Sequence, residues 1–173
     1  MLFLNSKEAI SYILKGDIEI VKKSNITLNF KWGEVFVHRT NSEIISCAKS
    51  QSYVFDHLVL MANFMQQFRA YIGNKGINIT SGWRGVDFNN SLPDASSTSY
   101  HIDGLAFDFN VSGLTPRQTQ KNFVGFAKQH GCEWGKNISF THMSYPQVLA
   151  NTLKTITKRS KVSRNGAFEE FIY

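Results

Sequence analysis

Apolar residues recur at steps of three and four between Ser52 and Gly73, the longest amphipathic stretch of the chain. The apolar positions are Val54, Phe55, Leu58, Met61, Met65, Phe68 and Ile72. This period predicts an α-helix with one buried face, in which the methionines fill the core. A second helix is predicted between Thr115-Pro116, which suit the N-cap and the first helical position, and Gly131. Its buried side is expected to carry Phe123, Val124 and Ala127, with Phe126 as a further candidate.

The first forty residues carry weaker patterns. The segment from Asn5 to Glu8 has the sequence of a capping box, and the apolar residues between it and Gly16 predict a short helix. The segment from Ile18 to Val37 contains alternating and β-branched stretches, which predict one or two short strands.

The rest of the chain alternates short apolar segments with polar ones. Strands are expected at residues 77–80, 100–111 and 138–145, a loop at 85–98 and a last helix at 146–157. Because the strands are short and few crossovers are available, we predict an α+β fold with a small, mainly antiparallel sheet flanked by helices.

The composition agrees with a single folded domain. The chain has 173 residues, of which 42% are hydrophobic, so disorder is not expected. Its net charge of +6 favours polyanionic partners, which include nucleic acid, acidic membranes and an acidic cell wall. The basic run from Lys154 to Arg164 contains no aromatic residue, so nucleic acid ranks last and is not expected as a partner.

Neither membrane insertion nor a signal peptide is expected. No apolar run reaches the 18 residues typical of a transmembrane helix. The chain reaches Lys7 and Glu8 too early for the apolar part of a signal peptide, so synthesis in a cytoplasm is expected. Cys47 and Cys132 do not make a disulfide framework and are expected to be free thiols.

His101 and Asp108 offer a nitrogen and an oxygen that suit zinc. Seven positions separate them, so in one regular strand they would face opposite sides, whereas a bulge or turn at Gly104 would bring them together. The surrounding residues are apolar, and an ionised Asp there is costly unless it is paired or metal-bound. His142, in a second apolar strand, is the best candidate for a third ligand. Such a site leaves one tetrahedral position for water.

The residues Ser99, His101, Gly104, Ala106 and Asp108 match every fixed position of the pattern Ser-x-His-x-x-Gly-x-Ala-x-Asp. This pattern resembles the signature of the M15 peptidases, the group of D-Ala-D-Ala carboxypeptidases and phage L-alanyl-D-glutamate endopeptidases. Two flanking segments are similar to that family as well. Residues 79–84 end in Ser-Gly-Trp-Arg where family members have Ser-Gly-Tyr-Arg, and residues 140–145 resemble the last ligand strand of phage-type members. The resemblance covers about residues 40–146.

The resemblance implies a Zn²⁺ site in which His101, Asp108 and His142 are the ligands. It also implies that Arg84 contacts a carboxylate or carbonyl of the substrate, for which its rigid fork of donors is suited. Ser99 would then hydrogen-bond the bound peptide.

The resemblance also requires an acidic general base shortly before the last histidine. Some members carry it three residues before that histidine, where this chain has Ser139, which cannot serve. Other members place a Glu further back, and Glu133 fits that looser pattern, so it is the candidate base. His38, His57 and His130 have no partner pattern and are expected to be structural or exposed.

The implied fold is that of the hedgehog and D-Ala-D-Ala-peptidase group. Residues 1–39 would form an N-terminal extension packed on the domain, 40–150 the zinc peptidase domain, and 151–173 a basic C-terminal tail. The implied activity is hydrolysis of peptidoglycan stem peptides by a phage lysis or virion-associated enzyme, acting on the cell wall after release or within a virion beside other lysis or virion proteins. The alternative is a non-catalytic zinc-binding structural or wall-binding protein of a virus particle.

Overall fold

The computed structural model describes residues 1–93, 95–130, 133–135, 140–144 and 168–170, and each of the last three segments contributes a strand to one sheet. This part of the chain contains helices α1 (Ser6–Leu14), α2 (Ile18–Lys23), α3 (Trp32–Val35), α4 (Asn41–Ser50), α5 (Tyr53–Tyr71), α6 (Val86–Ser91) and α7 (Pro116–His130). Its strands are β1 (Ile77–Ser81), β2 (Ala106–Val111), β3 (Glu133–Gly135), β4 (Thr141–Ser144) and β5 (Phe168–Glu170).

The strands form one sheet in the order β1-β2-β4-β3-β5, and every neighbouring pair is antiparallel. The predicted α+β fold with a small antiparallel sheet is therefore confirmed. In the β2–β4 pair, Asp108 lies directly opposite His142. Directly opposite residues project from the same face of a sheet, so the register places these two side chains side by side.

The aromatic core determines which face of the sheet carries the polar residues. Phe68 of α5 contacts Phe109 of β2 with ring centroids 5.7 Å apart, and Phe123 of α7 at 5.0 Å. Successive residues of a strand point to opposite faces. Because Phe109 faces α5, Asp108 projects from the other face of the sheet.

The two long predicted helices are confirmed. The apolar face predicted for α5 is buried from Val54 to Phe68. At the start of α7, the Thr115 hydroxyl accepts from the Gln118 backbone N–H, and the Gln118 side chain accepts from the Thr115 backbone N–H. This reciprocal cap satisfies two donors that a helix N-terminus leaves unpaired. Phe123, Phe126 and Ala127 are buried, whereas Val124 is half-buried.

The short N-terminal helix is confirmed as α1, with Asn5 as its N-cap and a capping box to Glu8. The strands predicted within Ile18 to Val37 are wrong, because α2 and α3 occupy this segment. Ile18 and Val21 are both buried, a spacing of three that suits one helical face. Burial of this helical face outweighs the preference of β-branched residues for strands, because that preference depends strongly on context.

Two further expectations differ from the structure. Residues 85–98 were expected to form a loop, but α6 occupies six of them. The strand expected at 100–111 begins only at Ala106, because the chain turns before it. Gly104 lies in that turn at φ +73°, a left-handed conformation that glycine adopts readily.

The N-terminal segment shares its core with the rest of the described chain. Helix α1 contacts α4 and α5, and the indole N–H of Trp32 donates to the Leu4 carbonyl. After α3, the Val35 carbonyl accepts from the backbone N–H of Trp83, which follows β1. The domain boundaries given above stay a prediction.

The predicted helix at 146–157 and the basic run 154–164 lie outside the described residues, as does Cys132. Strand β5, within the segment predicted as a tail, adds an edge to β3 that the sequence analysis does not assign. Within the described ranges, no helix combines the length and the hydropathy that crossing a bilayer requires.

Candidate metal centre

His101, Asp108 and His142 bring one ligand atom each to within 4.8 Å of the others. The Asp108 Oδ1 atom lies 3.3 Å from His101 Nε2 and 2.8 Å from His142 Nδ1. All three side chains are buried, with residue exposures of 2%, 6% and 7%. A buried carboxylate between two imidazoles forms a compact site with two nitrogen donors and one oxygen donor.

The local fold explains this convergence. Asp108 and His142 are cross-strand partners in the β2–β4 pair. His101 arrives from outside the sheet, because the turn that ends at Gly104 reverses the chain before β2 begins. Two backbone hydrogen bonds close this turn: Gly104 N–H donates to the His101 carbonyl, and Leu105 N–H to the Tyr100 carbonyl. The seven-residue spacing, incompatible with one straight strand, is therefore accommodated by a turn.

A backbone carbonyl sets the orientation of the His101 ring. Nδ1 of His101 lies 2.7 Å from the Gly82 carbonyl oxygen, which can only accept, so Nδ1 carries the proton. This tautomer leaves a lone pair on Nε2, the atom that faces Asp108. A Cβ atom at Gly82 would lie 2.2 Å from the Val35 carbonyl oxygen, so only glycine fits there.

Arg84 pairs with the second oxygen of Asp108. Its Nη2 donates to Asp108 Oδ2 at 2.5 Å, and its Nε donates to the Ser81 hydroxyl at 2.9 Å. The side chains of Arg84 and Asp108 are only 16% and 9% exposed. Because an unpaired buried charge is costly, this ion pair gives each of the two buried side chains a partner of opposite charge.

The pKa shifts of these groups favour the protonation states that bind a metal. Burial acts to raise the pKa of Asp108, but its contacts with His101 and His142 outweigh burial and hold that pKa well below its usual range. Burial lowers the pKa of His101 by more than Asp108 raises it. Burial also lowers the pKa of Arg84 in spite of its partner Asp108. An ionised carboxylate and a neutral imidazole are the forms in which these side chains bind metals.

The separations from Asp108 to the two histidines are close to those in a tetrahedral zinc site. Zinc bonds to histidine nitrogen and carboxylate oxygen are about 2.0–2.2 Å long, which places two ligand atoms about 3.3–3.5 Å apart in a tetrahedron. The separation between His101 Nε2 and Asp108 Oδ1 is 3.3 Å. A shift of a few tenths of an ångström in His142 would bring its Nδ1 atom to the same spacing. Three protein ligands would leave a fourth position for water, as in catalytic zinc sites.

The structure gives fewer contacts for the other two candidate residues, Ser99 and Glu133. Ser99 is half-buried, and its hydroxyl lies 3.4 Å from the His101 backbone N–H, from which it accepts. Its observed contact is therefore within the ligand turn. The backbone of Glu133 pairs with that of Ser144, two residues beyond His142 on β4. The side chain of Glu133 and all of Ser139 lie outside the described residues. The substrate and base roles of Ser99, Arg84 and Glu133 stay predictions.

Sequence reasoning missed two contacts of the site. The Gly82 carbonyl is a backbone acceptor, and residue types do not reveal which carbonyl will face a ring nitrogen. The ion pair between Arg84 and Asp108 joins residues 24 positions apart. The sequence signal for both contacts was the segment Ser81-Gly82-Trp83-Arg84. In the structure, Gly82 contacts the ligand His101 and Arg84 contacts the ligand Asp108.

A family model described as Peptidase M15 matches residues 36–144, more than half of the 173 residues. The matched range contains Arg84 and all three residues of the candidate metal centre. No curated protein matches the chain. With a match of this extent over a buried cluster of two histidines and an aspartate, the chain belongs to the peptidase M15 family.

Proposed function

We propose that this protein is a zinc-dependent peptidase that hydrolyses peptidoglycan stem peptides. The observation that carries the proposal is the buried cluster of His101, Asp108 and His142, in which the pKa of the carboxyl group is lowered and His101 presents Nε2 to it. A carboxylate and two imidazoles are hard and borderline donors that suit Zn²⁺. Membership of a peptidase family supports the same chemistry.

Each residue of the site has a proposed role. When bound, zinc would polarise the scissile carbonyl and bring the pKa of its water to about 7. Asp108 and the two imidazoles would hold the metal, and the Gly82 carbonyl keeps the His101 ring in the required tautomer. Arg84 holds Asp108 by one of its nitrogens and is proposed to contact the substrate through the N–H groups that Asp108 and Ser81 do not use.

Glu133 is proposed as the general base. The register of β3 on β4 pairs its backbone with Ser144, next but one to the ligand His142. Glu133 would accept a proton from the attacking water and return it to the leaving amine. Ser99 is proposed to hydrogen-bond the bound peptide from the edge of the ligand turn.

The proposed substrate is the peptide part of the bacterial cell wall. The net charge of +6 would favour residence on an acidic wall. The similarity of residues 140–145 to phage-type members suggests a lysis enzyme or a virion-associated enzyme, which would work beside other lysis or virion proteins. The second candidate is a non-catalytic zinc protein of a virus particle, favoured by Ser139 at the position where some relatives carry the base.

Mass spectrometry of purified peptidoglycan fragments, incubated with the protein, tests this proposal. We expect cleavage products with zinc and none with an excess of chelator. The Glu133→Gln variant should still bind zinc but lose at least about a hundredfold in rate, the usual effect of removing a general base. Glu19→Gln is a matched control, because Glu19 is exposed and pairs only with Lys22 among the described contacts.

The result distinguishes the two candidates. Zinc binding without any peptide cleavage by the wild-type protein would support the non-catalytic alternative and contradict the peptidase. Cleavage that survives in Glu133→Gln at the wild-type rate would leave the peptidase in place but refute Glu133 as its base.

A further inference from the structure

The turn that carries His101 is held by hydrogen bonds from two directions. On one side, the indole N–H of Trp83 donates to the Ile102 carbonyl at 3.0 Å, and the Arg84 backbone N–H donates to the His101 carbonyl at 3.1 Å. Both donors lie in the segment that follows β1. On the other side, the next carbonyl, that of Asp103, lies 2.7 Å from His57 Nδ1. Three successive carbonyls of the turn are therefore bound from outside it.

The second direction is the N-terminal end of α5. Tyr53 donates its phenolic O–H to Asp103 Oδ1 at 3.3 Å, and its ring meets the His57 ring edge-on at 5.3 Å. The Gly104 Cα lies against the same helix, since a Cβ there would be 3.1 Å from Val54. One face of α5 thus contacts both the backbone and the side chain of Asp103.

The hydrogen bond to the Asp103 carbonyl sets the orientation of the His57 ring. It is only 4% exposed, and its Nδ1 must donate, because a carbonyl oxygen can only accept. In the described part of the chain its Nε2 atom is buried with no hydrogen-bond partner. A buried, unsatisfied ring nitrogen costs free energy, and an apolar side chain of similar size would avoid that cost. The single bond to Asp103 is therefore the polar contact that distinguishes a histidine from a leucine at this position.

We infer that His57 and Tyr53 are positioning residues for the metal centre, which hold the 99–104 turn so that His101 presents Nε2 to Asp108. This inference rests on the proposed metal site. His101 lies in a turn before β2, so no strand pairing sets its position, whereas Asp108 and His142 oppose each other in the sheet. The position of His101 therefore depends on the turn, which Trp83 holds on one side and His57 and Tyr53 hold on the other.

Zinc affinity, measured by competition with a chromophoric chelator, tests the inference without depending on activity. In His57→Asn the amide can donate from nearly the place of Nδ1, whereas His57→Leu removes the donor. We expect His57→Leu to bind zinc about tenfold more weakly, the lower end of the effect of losing an outer support of a ligand. His57→Asn should stay within about twofold of the wild type, since it restores a donor.

Two further variants and a spectroscopic readout separate positioning from stability. Met65→Ala removes a fully buried side chain two turns further along α5, so it should lower the melting temperature but leave zinc affinity unchanged. Tyr53→Phe, at a 44% exposed position, should weaken zinc binding about threefold, as expected for one hydrogen bond. With Co²⁺ in place of zinc, the visible absorption bands should shift in His57→Leu and coincide with those of the wild type in His57→Asn.

The outcomes identify which claim fails. A wild-type protein that binds no zinc would overturn the metal site and the inference with it. If the wild type binds zinc and both His57→Leu and Tyr53→Phe bind it equally well, the metal site stands and the inference is overturned. If His57→Asn binds as weakly as His57→Leu, the donated hydrogen bond is not the cause, and the inference is overturned as well.

Discussion

Replacing Asp108 by Asn removes one charge at the centre of the site and tests both its electrostatics and its proposed metal. The substitution leaves the guanidinium of Arg84 buried without its counter-ion. Breaking a buried ion pair by removing one partner costs about 3–5 kcal/mol. Because the Arg84 side chain is 16% exposed and can gain some water, we expect the lower end, about 3 kcal/mol. For a chain of this size, that corresponds to a melting temperature lower by about 6–12 °C.

Zinc provides the second half of the experiment. At a free zinc concentration one hundred times the Kd, binding stabilises the folded protein by about 2.7 kcal/mol, or about 5–11 °C. We expect this rise for the wild type and little or none for Asp108→Asn, in which the anionic ligand is lost. Thermal unfolding followed by circular dichroism, with chelator and with zinc, measures both effects.

Asp17→Asn is the control for this experiment, since Asp17 is an exposed N-cap whose side chain makes no capping bond. It should unfold within a few degrees of the wild type and show the full rise with zinc. Two results would refute the reasoning. An Asp108→Asn protein as stable as the wild type without zinc would contradict the ion-pair argument, and an equal zinc-induced rise in both would contradict the assignment of Asp108 as a ligand.

Two other predictions concern the support of the site and its pH dependence. Gly82→Ala would place a Cβ atom 2.2 Å from the Val35 carbonyl oxygen, so we expect a loss of about 1–3 kcal/mol of stability and, because the Gly82 carbonyl must move, about tenfold weaker zinc binding. Urea unfolding and chelator competition measure these, and an unchanged zinc affinity would show that the Gly82 carbonyl does not orient His101. Without metal, stability should fall as the pH drops from 7 to about 3. The lowered pKa of His101 means that the unfolded chain takes up a proton first, below about pH 6.5, and the lowered pKa of Asp108 adds a further loss below about pH 4. A urea midpoint that stays constant over this range would contradict the burial of an uncharged His101.

The sequence predicted well those parts of the fold whose signals are local. The capping box at Asn5, the apolar face of α5 and the N-cap at Thr115 each depend on residues within a few positions of one another. The strands predicted in segment 18–37 are wrong because the helices there are only six and four residues long. So short an apolar pattern fits a strand as well as a helix, and tertiary burial decides between them.

The candidate site was predicted as a set of residue types, but its geometry was not. The pattern of residues 99–108 indicated two ligands, and the apolar strand around His142 indicated the third. The register that places Asp108 opposite His142 depends on pairing between distant segments. The contacts of Gly82, Arg84 and His57 depend on how three separate elements meet, and no local pattern encodes such a meeting.

The zinc content of the purified protein, measured as zinc bound per chain by native mass spectrometry, tests the central claim most directly. We predict one zinc ion per wild-type chain, and none in His142→Ala. His38→Asn is the matched control, because His38 is exposed and in a left-handed conformation that Asn tolerates, and it should retain one zinc. A wild-type chain without zinc after incubation with the metal, or a His142→Ala chain that binds zinc as fully as the wild type, would contradict the account.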